Sequence, residues 1–390
     1  MTTTRRYDID ALRAIAFLVL IFYHIGMFYV ADWGWHVKSA YQSEWLKFPM
    51  ILVNQWRMPL LFLISGLASS FLLRKLSVRG FIKTRTFRLL LPFTVGVLLI
   101  VPPQAYLQAL SNGSIVKHFG GMSYSEFLWH YFTFQGWPSN AFDGSAYGFT
   151  WNHLWFIPYL LVYTLLLVPL RAILYYSRLE SAFNNLGAAG LIVLPVLLQI
   201  LWQVILNDEQ GINHSLINDS YAHALFLTFF MLGYLISDKA KIWASIIRLR
   251  WFTLLSAIVS YGSLISLWWV FNETQWQDHL AGVVATFNQW LWLLTVLGWA
   301  ATYLNKPAAW LSYANNRVYP WYIFHQTLTV AAGYFLKPFA LGGLLEFSLL
   351  SLITIGGCLL LTETVIARSV ILSNVFGKKP DSSGTFKISQ

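Results

Sequence analysis

Residues 8–24 read DIDALRAIAFLVLIFYH, an apolar segment that carries acids, an arginine and a histidine. At about 100° per residue, Arg13 and His24 fall within roughly 20° of one helix face and about 16 Å apart along the axis. Both are therefore expected to look into the same space. Asp10, three residues before Arg13 on that face, is expected to pair with its guanidinium and hold its orientation. An ionisable residue inside a span is costly to bury and usually faces a cavity, which makes it a site candidate. A snorkelling Arg13 and a packed His24 would explain either residue alone. Asp10, Arg13 and His24 on one helix favour a site.

Outward from this segment, the chain is 57% hydrophobic and only 11% charged, with a mean hydropathy of +0.56. Such a chain is a polytopic membrane protein rather than a soluble globule. Apolar runs near the required length of about 20 residues fall at 7–31, 50–73, 89–110, 153–170, 188–206, 221–237, 251–271, 283–304, 318–336 and 346–367. The expected fold is an all-α integral membrane bundle of about ten transmembrane helices, with both termini cytoplasmic. Residues 1–377 form a single transmembrane domain and 378–390 a short cytoplasmic polar tail. Under this orientation 20 Lys and Arg lie inside, four (Lys38, Lys47, Lys117, Lys337) lie outside, and Arg13 and Arg57 lie within spans. That asymmetry is what sets the orientation of membrane proteins. The net charge of +10 is thus a topology signal and not a nucleic-acid surface. The first run is longer than a signal-peptide core and has no small-residue cleavage site after it, so it reads as an uncleaved span. Cys358 is the one cysteine, so no intrachain disulfide forms. With no zinc or iron–sulfur spacing and no Gly-rich phosphate loop, no tightly bound cofactor is expected.

The longest outer loop, 111–152, is punctuated by glycines and carries Trp129, Trp137 and Trp151 before His153 and Trp155 open the fourth span. Such rings suit pyranose faces or lipid headgroups. The basic stretch RKLSVRGFIKTRTFR, residues 74–88, reads as an interfacial helix on anionic membrane lipid. A phosphorylated cytosolic donor would be drawn to the same face, with Arg85 and Arg88 as its ligands. Arg57, in QWRMP at 55–59, is an intramembrane guanidinium that needs an anionic or carbonyl partner. The ninth span, entered from the cytoplasm at Val318, would put His325 about 10 Å deep. That places His325 with Glu363, Asp10 and Arg13 at an inner polar level, while His24, Arg57 and His153 form an outer one. Two levels imply a path from the cytosol to the exterior.

Asp10 and Arg13 as D-x-x-R, Arg13 and His24 separated by ten residues, WRMPLLFLISG, FIKTRTFRLLLP, HLWF at 153–156 and FHQTLTV at 324–330 together resemble the membrane acyltransferase family 3. The likeness covers essentially all ten spans. Within the family it is strongest to the branch that O-acylates, typically succinylates, periplasmic glucans. WHV at 35–37, Glu363 and the late FGKKP share in it, and Gln326 departs from it where that branch has a second histidine. The resemblance implies transfer of an acyl group, from acyl-CoA in the cytosol, to a hydroxyl of an extracytoplasmic saccharide, in a multi-pass protein of the bacterial inner membrane. It maps the family's catalytic histidine to His24 and its first-span arginine to Arg13, and it matches Arg57 and Glu363 to motif positions.

The residues suit that chemistry. A neutral histidine can take the proton of a sugar hydroxyl as it attacks a thioester, and His24 is the candidate, either as this base or as a transient acyl carrier. Arg57 or Arg13 is available for the developing oxyanion. His153, Trp155, His325 and Glu363 complete the expected substrate contacts. The competing class is a transporter of a small anionic or acylated compound, which polar residues at two depths also fit. Neither paired repeats nor broken spans in corresponding halves support it.

Overall fold

The computed structural model describes residues 5–177, 183, 187–206, 211–270 and 275–378. The regular elements among them are helical, beside one isolated bridge between Val30 and Ser43. The helices are α1 (Tyr7–Met27), α2 (Lys47–Leu73), α3 (Val78–Val95), α4 (Pro102–Ser111), α5 (Ser114–Phe119), α6 (Tyr124–Phe132), α7 (Phe156–Tyr176), α8 (Ala188–Leu206), α9 (Ser220–Ile236), α10 (Ala240–Val270), α11 (Gln275–Tyr303), α12 (Ala309–Leu336), α13 (Gly343–Leu360) and α14 (Val370–Val375). Among the described residues, eight helical stretches are long and apolar enough to cross a membrane, and the all-α polytopic fold is as expected. The other two expected spans, 221–237 and 318–336, coincide with α9, a shorter apolar helix, and with part of α12. The tail beyond Lys378 lies outside the described residues, as does Arg178.

Two expectations are corrected. Residues 78–88 are not a separate interfacial helix: with no breaker between Gly80 and Pro92, they form the first turns of α3, which runs on into the span. The outer loop 111–152, whose fold the sequence left open, forms α5 and α6 around a small core of Ile115, Phe127, Tyr131, Ala141 and Phe142. A capping box between Ser123 and Glu126 starts α6, satisfying backbone donors that would otherwise be orphaned. Finally, the ninth span's helix starts at Ala309, where Ala308 is extended after Pro307, and not at Val318. Arg317 is accordingly a buried residue of α12 and not a loop charge.

The chain divides into two compact units. The first comprises Met1–Leu20, Trp45–Phe87 and Trp155–Pro307. In it α2 and α9 approach backbone to backbone: a Cβ on Gly66 would overlap the carbonyl of Phe230, and one on Gly233 that of Leu63. Small residues at such crossings are what packing in lipid requires, where no hydrophobic drive brings helices together. Phe62 fills the adjoining space against Phe156, Tyr163 and Phe226. Asn288 of α11 donates to the Ala257 carbonyl and to the Ser260 hydroxyl of α10, both at 2.7 Å. On α8 the side chains of Val193, Leu194, Leu197, Leu201, Val204 and Ile205 are exposed, as befits a helix whose solvent is lipid.

The second unit comprises Ile21–Glu44, Arg88–Leu154 and Ala308–Gln390, and α12 is its central element. Gly333 of α12 admits the ring of Phe28, and Gly357 of α13 admits Leu328. Two π-helical turns, Gly96–Ile100 and Leu361–Ile366, interrupt the neighbouring helices, and each serves α12. The widened turn at Ile100 presents its carbonyl to the Thr327 hydroxyl at 2.6 Å. The other turn presents Glu363 to Arg317, Oε1 to Nε, at 2.5 Å. Such single-turn bulges recur at functional sites because they re-aim groups a regular helix would keep for itself.

Candidate active site

Within the second unit, three histidines from three segments come together. His24 lies near the end of α1, His153 in the 3-10 turn Asn152–Trp155, and His325 in the middle of α12. All are buried, His325 completely. The rings of His24 and His325 stack with centroids 5.0 Å apart and planes 6° from parallel. His153 stands edge-on to both, at 5.1 Å from His325 and 6.5 Å from His24. Trp35 covers His24 at 5.3 Å. The two-level expectation fails here, because His24 and His325 are at one depth. The cause is the early start of α12: His325 is sixteen residues from its first residue, about 24 Å along the axis by the helical rise, instead of seven.

The hydrogen bonds fix the tautomers. His325 Nδ1 faces two carbonyls of its own helix, Trp321 at 3.1 Å and Tyr322 at 2.8 Å, so this nitrogen carries a proton and donates it. His325 Nε2 is then an acceptor, and it lies 2.7 Å from His24 Nδ1. His24 therefore donates from Nδ1, which leaves its Nε2 as the basic nitrogen. His153 is locked the other way round. Its Nε2 donates to the Ile323 carbonyl at 3.1 Å, its own carbonyl accepts from the Tyr322 hydroxyl at 2.6 Å, and its buried Nδ1 accepts no hydrogen bond among the described residues.

Of the other expected site residues, Glu363 and Arg88 also belong to the second unit, while Asp10, Arg13, Arg57, Arg85 and Trp155 belong to the first. Glu363 is held by Arg317, whose guanidinium also lies 3.3 Å from the centre of the Tyr313 ring. Arg88 is exposed on α3. In the first unit, Asp10 does approach Arg13, but at 3.5 Å. Its other oxygen takes the stronger contacts, from Arg5 Nε at 2.9 Å and Nη2 at 2.7 Å. A second fork, Arg6 to the buried Asp8, lies under Trp243. Arg57 is buried and reaches Asn54 Oδ1 at 3.1 Å. Arg85 donates to the Ser69 hydroxyl at 2.7 Å. Trp155 packs against His214 with ring centres 4.0 Å apart and planes tilted by 33°.

The sequence reading missed Arg317, because the span was started one residue after it. Beside the histidines lies a set of amides, of which the sequence singled out only Gln326, as a departure from the resembled branch. Gln104, Gln108, Asn152 and Gln326 carry no charge and sit on three separate segments, so only the four-residue spacing of Gln104 and Gln108 in α4 hinted at a shared face.

A helical domain with eight membrane-length helices among the described residues defines the class as a polytopic membrane protein, and the comparisons supply its chemistry. Residues 6–363 match the acyltransferase domain of acyltransferase family 3, and the chain belongs to that family. It is a multi-pass membrane acyltransferase that moves groups other than aminoacyl groups. Among curated proteins it is similar to Glucans biosynthesis protein C of Salmonella typhi and of Salmonella typhimurium. Each is 25% identical over 396 residues, covering 96% of this chain and 95% of the relative. No solved structure matches it significantly.

Proposed function

We propose that the protein transfers an acyl group of the acetyl or succinyl class from cytosolic acyl-CoA to a hydroxyl of a saccharide, such as a glucan, outside the bacterial inner membrane. The observation that carries this reading is the hydrogen-bonded line from the Trp321 and Tyr322 carbonyls through His325 to His24. It supports His24 Nε2 as the base. As the hydroxyl oxygen attacks the thioester carbonyl, Nε2 takes its proton, the C–S bond breaks, and the departing thiolate recovers the proton. In this scheme His325 plays the orienting part that a buried carboxylate plays in hydrolase triads. Being neutral, it contributes tautomer and orientation rather than a counter-charge. Transient acylation of the same nitrogen is the two-step form of this chemistry.

The remaining assignments follow from residue type. Arg13 and Arg57 meet negative charge on the reactants, with Asp10 positioning Arg13. Arg85 and Arg88 attract the phosphates of the donor, which acts as co-substrate. His153 offers Nδ1 to a donor group on a substrate, Trp155 offers an aromatic face, and Glu363 acts through its clamp on α12. The lysine and arginine asymmetry supports cytoplasmic termini, and two relatives named for glucan biosynthesis support a glucan acceptor. The test is purified protein, acyl-CoA labelled in its acyl group, and a glucan oligosaccharide: label appearing on the saccharide supports the reading, and label that never leaves acyl-CoA overturns it.

A further inference from the structure

A second polar cluster in the same unit is assembled from four stretches of chain. His36 Nδ1 faces two oxygens, Gln108 Oε1 at 2.6 Å and Asp143 Oδ2 at 3.5 Å, so Nδ1 holds the proton and Nε2 must accept. Gln326 supplies the donor, with its Nε2 at 2.8 Å from His36 Nε2, and that requirement fixes the orientation of its amide. The same amide nitrogen also donates to Gln104 Oε1 at 3.2 Å. Gln104 in turn accepts from Asn152 at 3.0 Å and donates to the Thr327 hydroxyl at 2.6 Å. Gln108 closes the outer end by donating to Asp143 Oδ1 at 2.9 Å.

Two features of this network are unspent. Gln326 is 98% buried, being 2% exposed, and both its side-chain hydrogen bonds use the nitrogen, so Oε1 accepts nothing among the described residues. An amide oxygen left this way keeps its acceptor capacity for a ligand donor. At the other end the Asp143 side chain is 63% exposed, and its oxygens retain lone pairs beyond those used by Gln108 and His36. The unspent groups are thus acceptors, and the ligand must bring donors. No lysine or arginine belongs to the cluster, and its one formal charge is a carboxylate, the wrong sign for the phosphates of a coenzyme A donor. A neutral polyol, rich in hydroxyl donors, has the right chemistry. The location agrees: Trp35 lies 5.3 Å from the His24 ring and 4.7 Å from the His36 ring, and Gln326 directly follows His325.

We infer that His36, Gln108, Asp143 and Gln326 form the subsite that reads the acyl acceptor, binding one hydroxyl at Gln326 Oε1 and another at Asp143 while a neighbouring hydroxyl meets His24. The inference rests on the acyl-transfer reading above and assigns which residues select the acceptor. His36 is a positioning residue in it, because it holds the Gln326 amide without touching substrate. The role favours acceptors with several hydroxyls over simple alcohols.

The experiment measures steady-state transfer from labelled acyl-CoA to a glucan oligosaccharide by the full-length protein, wild type against Asp143→Asn and Gln326→Met. Losing one such hydrogen bond raises the KM for the saccharide about 3- to 10-fold, with kcat and the KM for acyl-CoA within twofold. An unchanged saccharide KM, or a rise confined to the acyl-CoA KM, overturns the assignment. Asp143 lies at an exposed position, so Asp143→Asn decides the matter even if Gln326→Met fails to fold. Calorimetric titration of the same oligosaccharide, without acyl-CoA, separates the two readings. Saccharide binding that Asp143→Asn weakens, in a protein that transfers no label, sinks the reaction and keeps the subsite; binding unaffected by Asp143→Asn sinks the subsite.

Discussion

Replacing His325 with leucine removes the acceptor for His24 Nδ1 while keeping an apolar side chain of similar bulk in a fully buried position. The carbonyls of Trp321 and Tyr322 lie within α12, so helix formation survives the change. Two costs follow. In the resting enzyme the buried Nδ1–H loses its 2.7 Å partner, and His24 is free to adopt the tautomer that carries its proton on Nε2. In the transition state the ring is becoming an imidazolium, whose hydrogen bond is stronger, about 1.5–3 kcal/mol against about 1 for a neutral one. The difference between the states is about 0.5–2 kcal/mol, or about 2- to 30-fold in kcat at 1.36 kcal/mol per decade, and the share of wrong tautomer adds to that loss. Substrate KM values should move little, because the loss is specific to the charged state. His325→Gln, whose amide oxygen can accept from Nδ1, should recover part of the rate. The assay is label transfer under saturating acyl-CoA, with thermal unfolding in detergent as the check on folding. A stably folded His325→Leu enzyme with the wild-type kcat would refute the tautomer argument.

Glu363→Gln leaves the Arg317 guanidinium, whose side chain is 6% exposed, without its carboxylate. Breaking a buried pair costs about 3–5 kcal/mol; with Glu363 35% exposed the expected loss is about 3 kcal/mol, read as a drop in unfolding temperature, and an unchanged temperature contradicts the clamp. His214 lies in the segment before α9, where burial, opposed by Asp219 and assisted by the charge of Arg57, lowers its pKa to about 4 from the ordinary 6.5. The fold holds it neutral, so its stabilising effect is complete above about 6.5 and is lost as pH falls towards 4, where the unfolded chain takes up a proton that the folded chain refuses. His214→Gln should flatten the dependence of unfolding temperature on pH between 4 and 6.5, and an identical slope in wild type and variant rejects this. Arg13→Lys is expected to lose nearly as much transfer as Arg13→Ala, since a point charge does not reproduce the guanidinium fork. Near-normal rates in the lysine variant would leave Arg13 as a simple positive charge.

The spans were legible because lipid demands about 20 apolar residues of each helix, and the histidines were legible because imidazoles are out of place there. Their depth was not. AWLSYANNR, residues 309–317, is too polar to extend the apolar run, yet it is helical, so a hydropathy boundary placed His325 too near the helix start. The Asp10–Arg13 spacing indicated a contact but not its rank, because Arg5 precedes the helix and no periodicity predicts that it folds back on Asp10. The Gln326 cluster was hidden for a different reason. Amides signal little in a sequence, and four segments had to fold before His36 met Gln108, Asp143 and Gln326.

The central claim is that His24 performs the proton transfer, and His24→Ala in the labelled acyl-CoA to glucan oligosaccharide assay tests it most directly. The account predicts a folded protein whose transfer rate falls by about 10²–10⁴-fold, the usual share of general-base catalysis, or further if His24 also carries the acyl group. A stably folded His24→Ala protein that acylates the saccharide at the wild-type rate would contradict it.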